Sequence, residues 1–178
     1  AAIRCAVDLG IRFFDTADVY GAGHSEEVLG QALEGHDEVV IATKLGNRFD
    51  PVTKQMAGSI ADGDLRQETR SAVEASLRRL RRDRIDLVQL HLNDVAVEPA
   101  GEVFDELDRL RAAGVIGAYG WSTDFPDRAA AYAGRPGFVA VQHGMNLFFD
   151  APGLLGAVEA HGLISINRSP LAMGLLTG

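Results

Sequence analysis

Cysteine is scarce in this sequence, with Cys5 the only one among 178 residues. One thiol cannot form a disulfide within the chain, so we expect a reducing compartment, the cytoplasm. Positive charge is also in deficit: the formal net charge of −8 argues against nucleic acid or an anionic membrane surface as a partner. No apolar run is long enough to span a bilayer. No set of His, Cys and acidic residues has the spacing of metal ligands, so we expect no metal site.

The apolar residues form six short runs that alternate with amphipathic segments. The runs predict strands at residues 11–14, 39–43, 85–90, 116–121, 138–141 and 163–166. Because the runs are almost wholly apolar, both faces of each strand should be buried, which is typical of a parallel sheet covered by helices. No Gly-x-Gly-x-x-Gly follows the first strand, as it usually does in a doubly wound nucleotide-binding sheet. The regular alternation therefore favours an α/β fold of (β/α)-barrel type, with residues 1–178 in one domain.

Two segments outside the strands carry further predictions. Ser25 is interpreted as the N-cap of a helix whose first turn holds two glutamates, where acids suit the helix dipole. Residues 46–63 are polar and show no clear period, which predicts a long loop over one face of the fold. This loop and Phe148-Phe149 are expected to wall a pocket.

Polar side chains stand where the predicted strands end. An acid, an amine and an imidazole end three consecutive strands: Asp15, Lys44 and His91. Tyr20 follows Asp15 within a few residues, in a loop bounded by glycine. The later strands close on Ser122, Gln142 and Ser169. Because the carboxyl ends of parallel strands meet at one rim of a barrel, we expect these side chains to face one another.

This combination of groups suits proton donation to a carbonyl. Tyrosine is a weak acid at neutral pH, but a nearby ammonium such as that of Lys44 stabilises its phenolate. Asp15 can pair with Lys44 and offset the cost of burying its charge. His91 can hydrogen-bond a substrate oxygen or the phenol. None of these groups can supply a hydride, so a nicotinamide cofactor is expected.

Five motifs resemble those of the aldo-keto reductase family, in the family's order and along the whole chain. They are Phe14-Asp15-Thr16-Ala17-Asp18-Val19-Tyr20-Gly21, Ser25-Glu26-Glu27-Val28-Leu29-Gly30, Ala42-Thr43-Lys44, Ser76-Leu77-Arg78-Arg79-Leu80 with Asp83-Arg84-Ile85-Asp86-Leu87 and His91, and Ser169-Pro170-Leu171 with Gly174-Leu175-Leu176-Thr177-Gly178. The resemblance implies a (β/α)8 TIM barrel, of which the six strands here match the second to the seventh. It also implies reduction of an aldehyde or ketone with NADPH.

The same resemblance implies a role for each candidate site residue. Tyr20 would be the general acid, Lys44 and Asp15 the pair that tunes it, and His91 the group that orients the substrate. The positions implied to hold the nicotinamide carboxamide are Ser122, Thr123 and Gln142. The positions implied to receive the cofactor's pyrophosphate are Ser169, Leu171 and Gly174. Thr123 stands where the family usually has asparagine, which puts that contact in question.

Other interpretations of these residues stay open. Some relatives of the family are cofactor-holding regulatory subunits, so a non-catalytic NADP-binding module would keep the same residues. Asp15 with Asp94 could serve as a glycosidase acid pair at a barrel mouth, although Lys44 beside Asp15 argues against it. Two barrel strands lack a counterpart here, which predicts either a piece of a longer chain or self-association through open sheet edges.

Overall fold

The computed structural model describes residues 1–50 and 52–178. The helices are α1 (Ala2–Asp8), α2 (His24–Ala32), α3 (Leu65–Leu80), α4 (Val97–Ala112), α5 (Pro126–Tyr132) and α6 (Pro152–Ala160). The strands are β1 (Phe13–Asp15), β2 (Val40–Leu45), β3 (Asn47–Phe49), β4 (Met56–Ser59), β5 (Ile85–Leu90), β6 (Ile116–Ser122), β7 (Phe138–Gly144) and β8 (Ile164–Arg168). Short 3-10 turns occupy Ile60–Asp62 and Ala172–Gly174.

Six of the strands form one parallel sheet, in the order β1-β2-β5-β6-β7-β8. A helix lies between each pair of sheet neighbours along the chain. The strand order never reverses, whereas a doubly wound sheet reverses at its switch point. The sheet is a curled parallel half-barrel, and the predicted α/β fold of barrel type with six strands is confirmed.

The hydrophobic core lies between the sheet and its helices. Phe104 of α4 stacks on Tyr119 with 5.6 Å between ring centroids and meets Trp121 edge-on at 5.5 Å. Alternation along β6 turns the neighbours of Tyr119 and Trp121 to the opposite, concave side. The buried apolar side chains there are small or aliphatic, namely Ala42, Leu87 and Ala140. The bulky residues therefore fill the helix side and leave room on the concave side.

Burial differs between the central and the outer strands. The prediction that both faces are buried is largely correct for β5, β6 and β7. For β1 and β8 it is wrong, because Phe13 is 43% exposed and Ile164 is 58% exposed. Each of these strands has a single neighbour in the described sheet. Their free edges leave apolar side chains uncovered on the concave side.

Residues 46–63 contain a hairpin, so the prediction of a loop without secondary structure is wrong. β3 pairs antiparallel with β4, with Asn47 opposite Ser59. The Ser59 hydroxyl accepts a hydrogen bond from the backbone N–H of Ala61 at 3.2 Å and caps the following 3-10 turn. The two strands are too short and too polar for alternation to indicate them. Pro51, within this segment, lies outside the described residues.

Helix α2 begins before Ser25, so the predicted N-cap is also wrong. The N-cap is Gly23, whose φ of 89° is a left-handed conformation that glycine adopts without strain. The hydroxyl of Ser25 instead lies 2.8 Å from that of Thr16. This contact ties the start of the helix to the residue that follows β1.

Candidate active site

Register and alternation bring polar side chains from five strands to one rim. Lys44 of β2 is in register with Gln89 of β5, and Ser122 of β6 with Gln142 of β7. Asp15 is the last residue of β1, the other neighbour of β2. Residues in register on parallel strands point to the same face. The rim at the carboxyl ends therefore collects an acid, an amine, two amides and a hydroxyl on the concave side.

An ion pair between a buried lysine and a partly exposed aspartate joins the first two strands. Lys44 Nζ donates to Asp15 Oδ2 at 2.6 Å and to the carbonyl oxygen of Thr16 at 2.7 Å. The Lys44 side chain is fully buried, which an ammonium tolerates when it is paired and hydrogen-bonded. Asp15 Oδ1 accepts from Gln142 Nε2 at 3.0 Å and from Gln89 Nε2 at 3.4 Å. Side chains from four strands thus fix the orientation of the pair.

Tyr20 lies on the loop between β1 and α2, next to this pair. Its ring centroid is 5.1 Å from Lys44 Nζ, and its ring meets that of His91 edge-on, with 5.9 Å between centroids. The loop turns sharply because residues 21–23 all have positive φ, at two glycines and one alanine. Tyr20 is 44% exposed, so a ligand at the rim has access to it.

His91 follows β5 directly and faces Tyr20. Burial, together with the positive charge of Lys44, lowers the pKa of His91 to about 4. The imidazole is therefore neutral at neutral pH, with one nitrogen donating and the other accepting. Its Nδ1 is buried and has no hydrogen-bond partner in the part of the chain that the structure describes. A neutral imidazole in this place suits a hydrogen bond to an uncharged carbonyl oxygen.

A fully buried carboxylate lies on the helix side of the sheet. Glu26 of α2 accepts hydrogen bonds from Thr43 Oγ1 at 2.5 Å and from Arg79 Nε at 2.6 Å. Glu26 thereby connects α2, β2 and α3. Burial and the nearby charge of Glu26 raise the pKa of Asp18, on the loop that precedes α2, to about 7. The sequence analysis places Glu26 in the first turn of a helix and predicts none of these contacts, so this buried network is new information.

A cavity of about 800 Å³ opens at the rim. The predicted site residues that line it are Asp15, Tyr20, His91, Ser122, Gln142 and Ser169. Lys44 does not line the cavity, but its ammonium donates a hydrogen bond to Asp15, which does. The structure therefore brings together most of the residues that the sequence analysis selected, although they come from points spread over more than 150 positions of the chain.

Other predicted residues do not line this cavity. Thr123 is fully buried, and its hydroxyl donates to a main-chain carbonyl at 2.8 Å. Leu171 and Gly174 lie beyond β8, at the final 3-10 turn. The segment 46–63 and Phe148-Phe149 are likewise absent from the lining. The expectation that they wall the pocket finds no support in this cavity.

Several polar residues at the site are missing from the sequence-based prediction. Gln89 lies inside β5 rather than at its end, and strand alternation could have indicated it, since it lies two residues before His91. Arg168, the last residue of β8, forms an ion pair with Asp124 of the loop between β6 and α5. These two residues are 44 positions apart, and no local pattern indicates that they meet.

Residues 1–50 and 52–178 contain neither a metal-ligating cluster nor a membrane-spanning helix. No group of three or more His, Cys, Asp or Glu side chains in these ranges could hold a metal ion. None of the helices in these ranges has the length and apolar composition that crossing a bilayer requires.

The chain is similar to known proteins along its whole length. The model of the Aldo/keto reductase family matches residues 1–178. The uncharacterized oxidoreductase YqkF of Bacillus subtilis is 34% identical over 97% of this chain and 55% of its own length. Among solved structures, the holo form of aldo-keto reductase AKR11C1 from Bacillus halodurans superposes with a TM-score of 0.85, at 33% identity over 96% of this chain and 56% of that one.

A further solved structure is an aldo/keto reductase from Klebsiella pneumoniae in complex with NADP and acetate, with a TM-score of 0.74 and 27% identity, covering 98% of this chain and 59% of that one. The chain spans about half the length of the curated relatives it matches. The family model, the curated relatives and the solved structures agree, and the chain belongs to the aldo/keto reductase family.

Proposed function

We propose that the protein carrying this chain reduces an aldehyde or ketone to an alcohol by hydride transfer from NADPH, with Tyr20 as general acid. The observation that carries the proposal is the ion pair of the buried Lys44 with Asp15, whose ammonium lies 5.1 Å from the centroid of the Tyr20 ring. Membership of the family supports the class of reaction. The complex of the Klebsiella relative with NADP supports the choice of cofactor.

The residues at the rim fit a nicotinamide group. Ser122 and Gln142 stand side by side in register, and they offer a hydroxyl and an amide to a carboxamide, which both donates and accepts. Gln142 donates through Nε2 to Asp15, which leaves its Oε1 for a carboxamide N–H. When bound there, the reduced nicotinamide supplies the hydride that no side chain can supply.

A second set of contacts would bind the pyrophosphate of the cofactor. Ser169, Leu171 and Gly174 would hold the pyrophosphate through the turn that follows β8. Ser169 has a φ of 57° and Gly174 a φ of 97°, so the backbone turns sharply here, and the N–H of Gly174 donates to the carbonyl oxygen of Leu171 within the turn. Thr123, whose hydroxyl is engaged by the main chain, would support Ser122 rather than contact the cofactor itself.

In the proposed reaction the carbonyl oxygen lies between Tyr20 and His91. The O–H bond of Tyr20 breaks as its proton passes to that oxygen and the hydride reaches the carbonyl carbon, which yields the alcohol. The ammonium of Lys44 stabilises the phenolate that remains, and Asp15 holds Lys44 in place. The neutral imidazole of His91 donates an N–H to the same oxygen. Solvent then returns a proton to the exposed Tyr20.

The test compares Tyr20→Phe with Tyr132→Phe in the complete natural protein. The Tyr132 hydroxyl donates to the main chain of Val97 on the helix side of the sheet, so its loss should leave the rim unchanged. NADPH consumption is followed with a panel of aromatic and aliphatic aldehydes and ketones, and NADPH binding is measured by calorimetry. We expect Tyr20→Phe to lower kcat by about a hundredfold or more, the range of general acid catalysis, with NADPH binding retained.

Each outcome separates one part of the proposal from the rest. Turnover that survives in Tyr20→Phe would refute the role of Tyr20 as the acid. Binding of NADPH without turnover on any carbonyl would favour the alternative, a non-catalytic NADP-binding module of the same fold. Failure of the natural protein to bind NADPH would refute the choice of cofactor.

A further inference from the structure

Arg168 places a guanidinium at the cavity beside the proposed nicotinamide contacts. It is the last residue of β8, in register with Gly144, two residues beyond Gln142 on β7. The next residue along the chain is Ser169, which also lines the cavity. A Cβ atom built on Gly144 would lie 3.8 Å from the guanidinium carbon of Arg168. The guanidinium therefore lies close to the end of β7.

The charge of Arg168 is the only permanent positive charge among the described residues that line the cavity. Its Nε is buried and has no hydrogen-bond partner in the described part of the chain. The same charge acts on His91, where it adds to the effects of burial and Lys44 that lower the pKa of the imidazole. The field of Arg168 thus extends across the site.

Asp124 holds Arg168 in this position and offsets part of its charge. One carboxylate oxygen, Oδ1, accepts from the N–H of Gly144 at 2.8 Å, and the other pairs with the guanidinium. The carboxylate is therefore fixed by β7, and the arginine is fixed by the carboxylate. Both side chains remain partly exposed, and Arg168 itself lines the cavity.

A nicotinamide ring changes charge during the proposed reaction. The ring of NADP⁺ carries a positive charge that the ring of NADPH lacks, so a nearby cation repels the oxidised cofactor and hardly affects the reduced one. We propose that Arg168, balanced by Asp124, sets the preference of this site for NADPH over NADP⁺. This inference rests on the proposed function, and it makes Arg168 a specificity-determining residue rather than a proton donor.

The test uses two substitutions with opposite expected signs, in the complete natural protein. Arg168→Met removes the cation, and Asp124→Asn removes the carboxylate charge while its amide oxygen can still accept from Gly144. Calorimetry gives the dissociation constants of NADPH and of NADP⁺, and their ratio is the readout. We expect Arg168→Met to strengthen the binding of NADP⁺ relative to NADPH by about threefold to tenfold, which is the effect of one unit charge a few ångströms away in a hydrated site. We expect Asp124→Asn to strengthen the binding of NADPH relative to NADP⁺ by a similar factor.

Matched controls separate charge from folding. The exposed Arg111 of α4 supplies the control Arg111→Met, which should leave the ratio unchanged. If both site variants weaken the two cofactors by the same factor, Arg168 has only a structural role and the inference is wrong. The same conclusion holds if Asp124→Asn and Arg168→Met shift the ratio in the same direction. If the natural protein binds neither cofactor, the proposed function itself fails, which is a distinct result.

Discussion

Replacing Lys44 with methionine gives the sharpest test of how the ion pair acts. Methionine has a similar length and no charge, so it removes the ammonium with little change in packing. For two unit charges about 5 Å apart, at an effective dielectric constant of about 20, Coulomb's law gives about 3 kcal/mol. Lys44 Nζ lies 5.1 Å from the centroid of the Tyr20 ring. We therefore expect kcat to fall by roughly a hundredfold, since about 3 kcal/mol corresponds to two decades in rate.

The stability change should be smaller than for most broken buried pairs. Asp15 keeps the hydrogen bonds from Gln142 and Gln89, and its side chain is partly exposed. Lys44→Met should thus lower the free energy of unfolding by about 2 kcal/mol, which is less than the 3–5 kcal/mol that is typical when a buried charge loses its partner. A folded variant with intact NADPH binding is the expected material for the kinetic assay.

The assay measures single-turnover carbonyl reduction with NADPH bound in advance, so that cofactor affinity does not enter the rate. The chain has one other lysine, Lys54, which is exposed, and Lys54→Met is the matched control with an expected rate near that of the natural protein. A rate for Lys44→Met within about fivefold of the control, in a folded protein, would refute the account of how Tyr20 is activated.

Three further predictions concern the helix side of the site. Glu26→Gln should lower the free energy of unfolding by about 2–4 kcal/mol in chemical denaturation, because Arg79 loses the buried carboxylate with which it forms an ion pair. The control Glu27→Gln, at an exposed position, should change this free energy by less than about 0.5 kcal/mol. Gly30→Ala should lower the free energy of unfolding by more than about 2 kcal/mol, because its Cβ would lie 2.6 Å from backbone atoms of α3. Gly156 lies in an exposed part of α6 with open space around it. Gly156→Ala should therefore raise the free energy of unfolding by about 0.5–1 kcal/mol and with it the melting temperature. The pKa of Asp18 is raised from 3.8 to about 7, so the folded state holds this proton more tightly than the unfolded state does. The stability that the protonated group contributes is fully present below pH 4 and is lost as the pH rises to 7, by up to about 4 kcal/mol. Asp18→Asn should flatten this dependence of the unfolding free energy on pH.

Each of these predictions has a result that contradicts it. Equal effects of Glu26→Gln and Glu27→Gln would mean that the Glu26 network adds nothing beyond a surface charge. A tolerated Gly30→Ala would mean that α2 and α3 can separate without loss. An unchanged slope of unfolding free energy against pH in Asp18→Asn would mean that the protein keeps Asp18 ionised at neutral pH.

The strand-end residues could be predicted because their signal is local. An apolar run that stops at a polar residue marks the end of a strand, and parallel order then brings all such ends to one rim. Asp15 and Lys44 were expected to meet on this ground, although 29 positions separate them, and their 2.6 Å contact is observed. Gln89 escaped the prediction because it lies within a run, where a polar residue gives no sign of the strand's end.

The Glu26 network could not be predicted because each of its members, taken alone, fits an exposed position. A glutamate in the first turn of a helix, a threonine in a strand and an arginine near a helix end all satisfy local rules in water. They are buried because Gly30 lets α2 approach the backbone of α3 closely, with no room for a Cβ between them. That approach depends on the three-dimensional packing of two helices, and no single segment encodes it.

Two adjacent residues of β2 form hydrogen bonds on opposite faces of the sheet. Thr43 points to the helix side and donates to Glu26, while Lys44 points to the rim and pairs with Asp15. Because successive residues of a strand point to opposite faces, any shift of Thr43 must also move Lys44 relative to Tyr20. Loss of the Glu26 network should consequently reduce kcat as well as stability, even though Glu26 lies across the sheet from the cavity. A Glu26→Gln protein that unfolds more easily but turns over normally at low temperature would show that the two faces of β2 are independent.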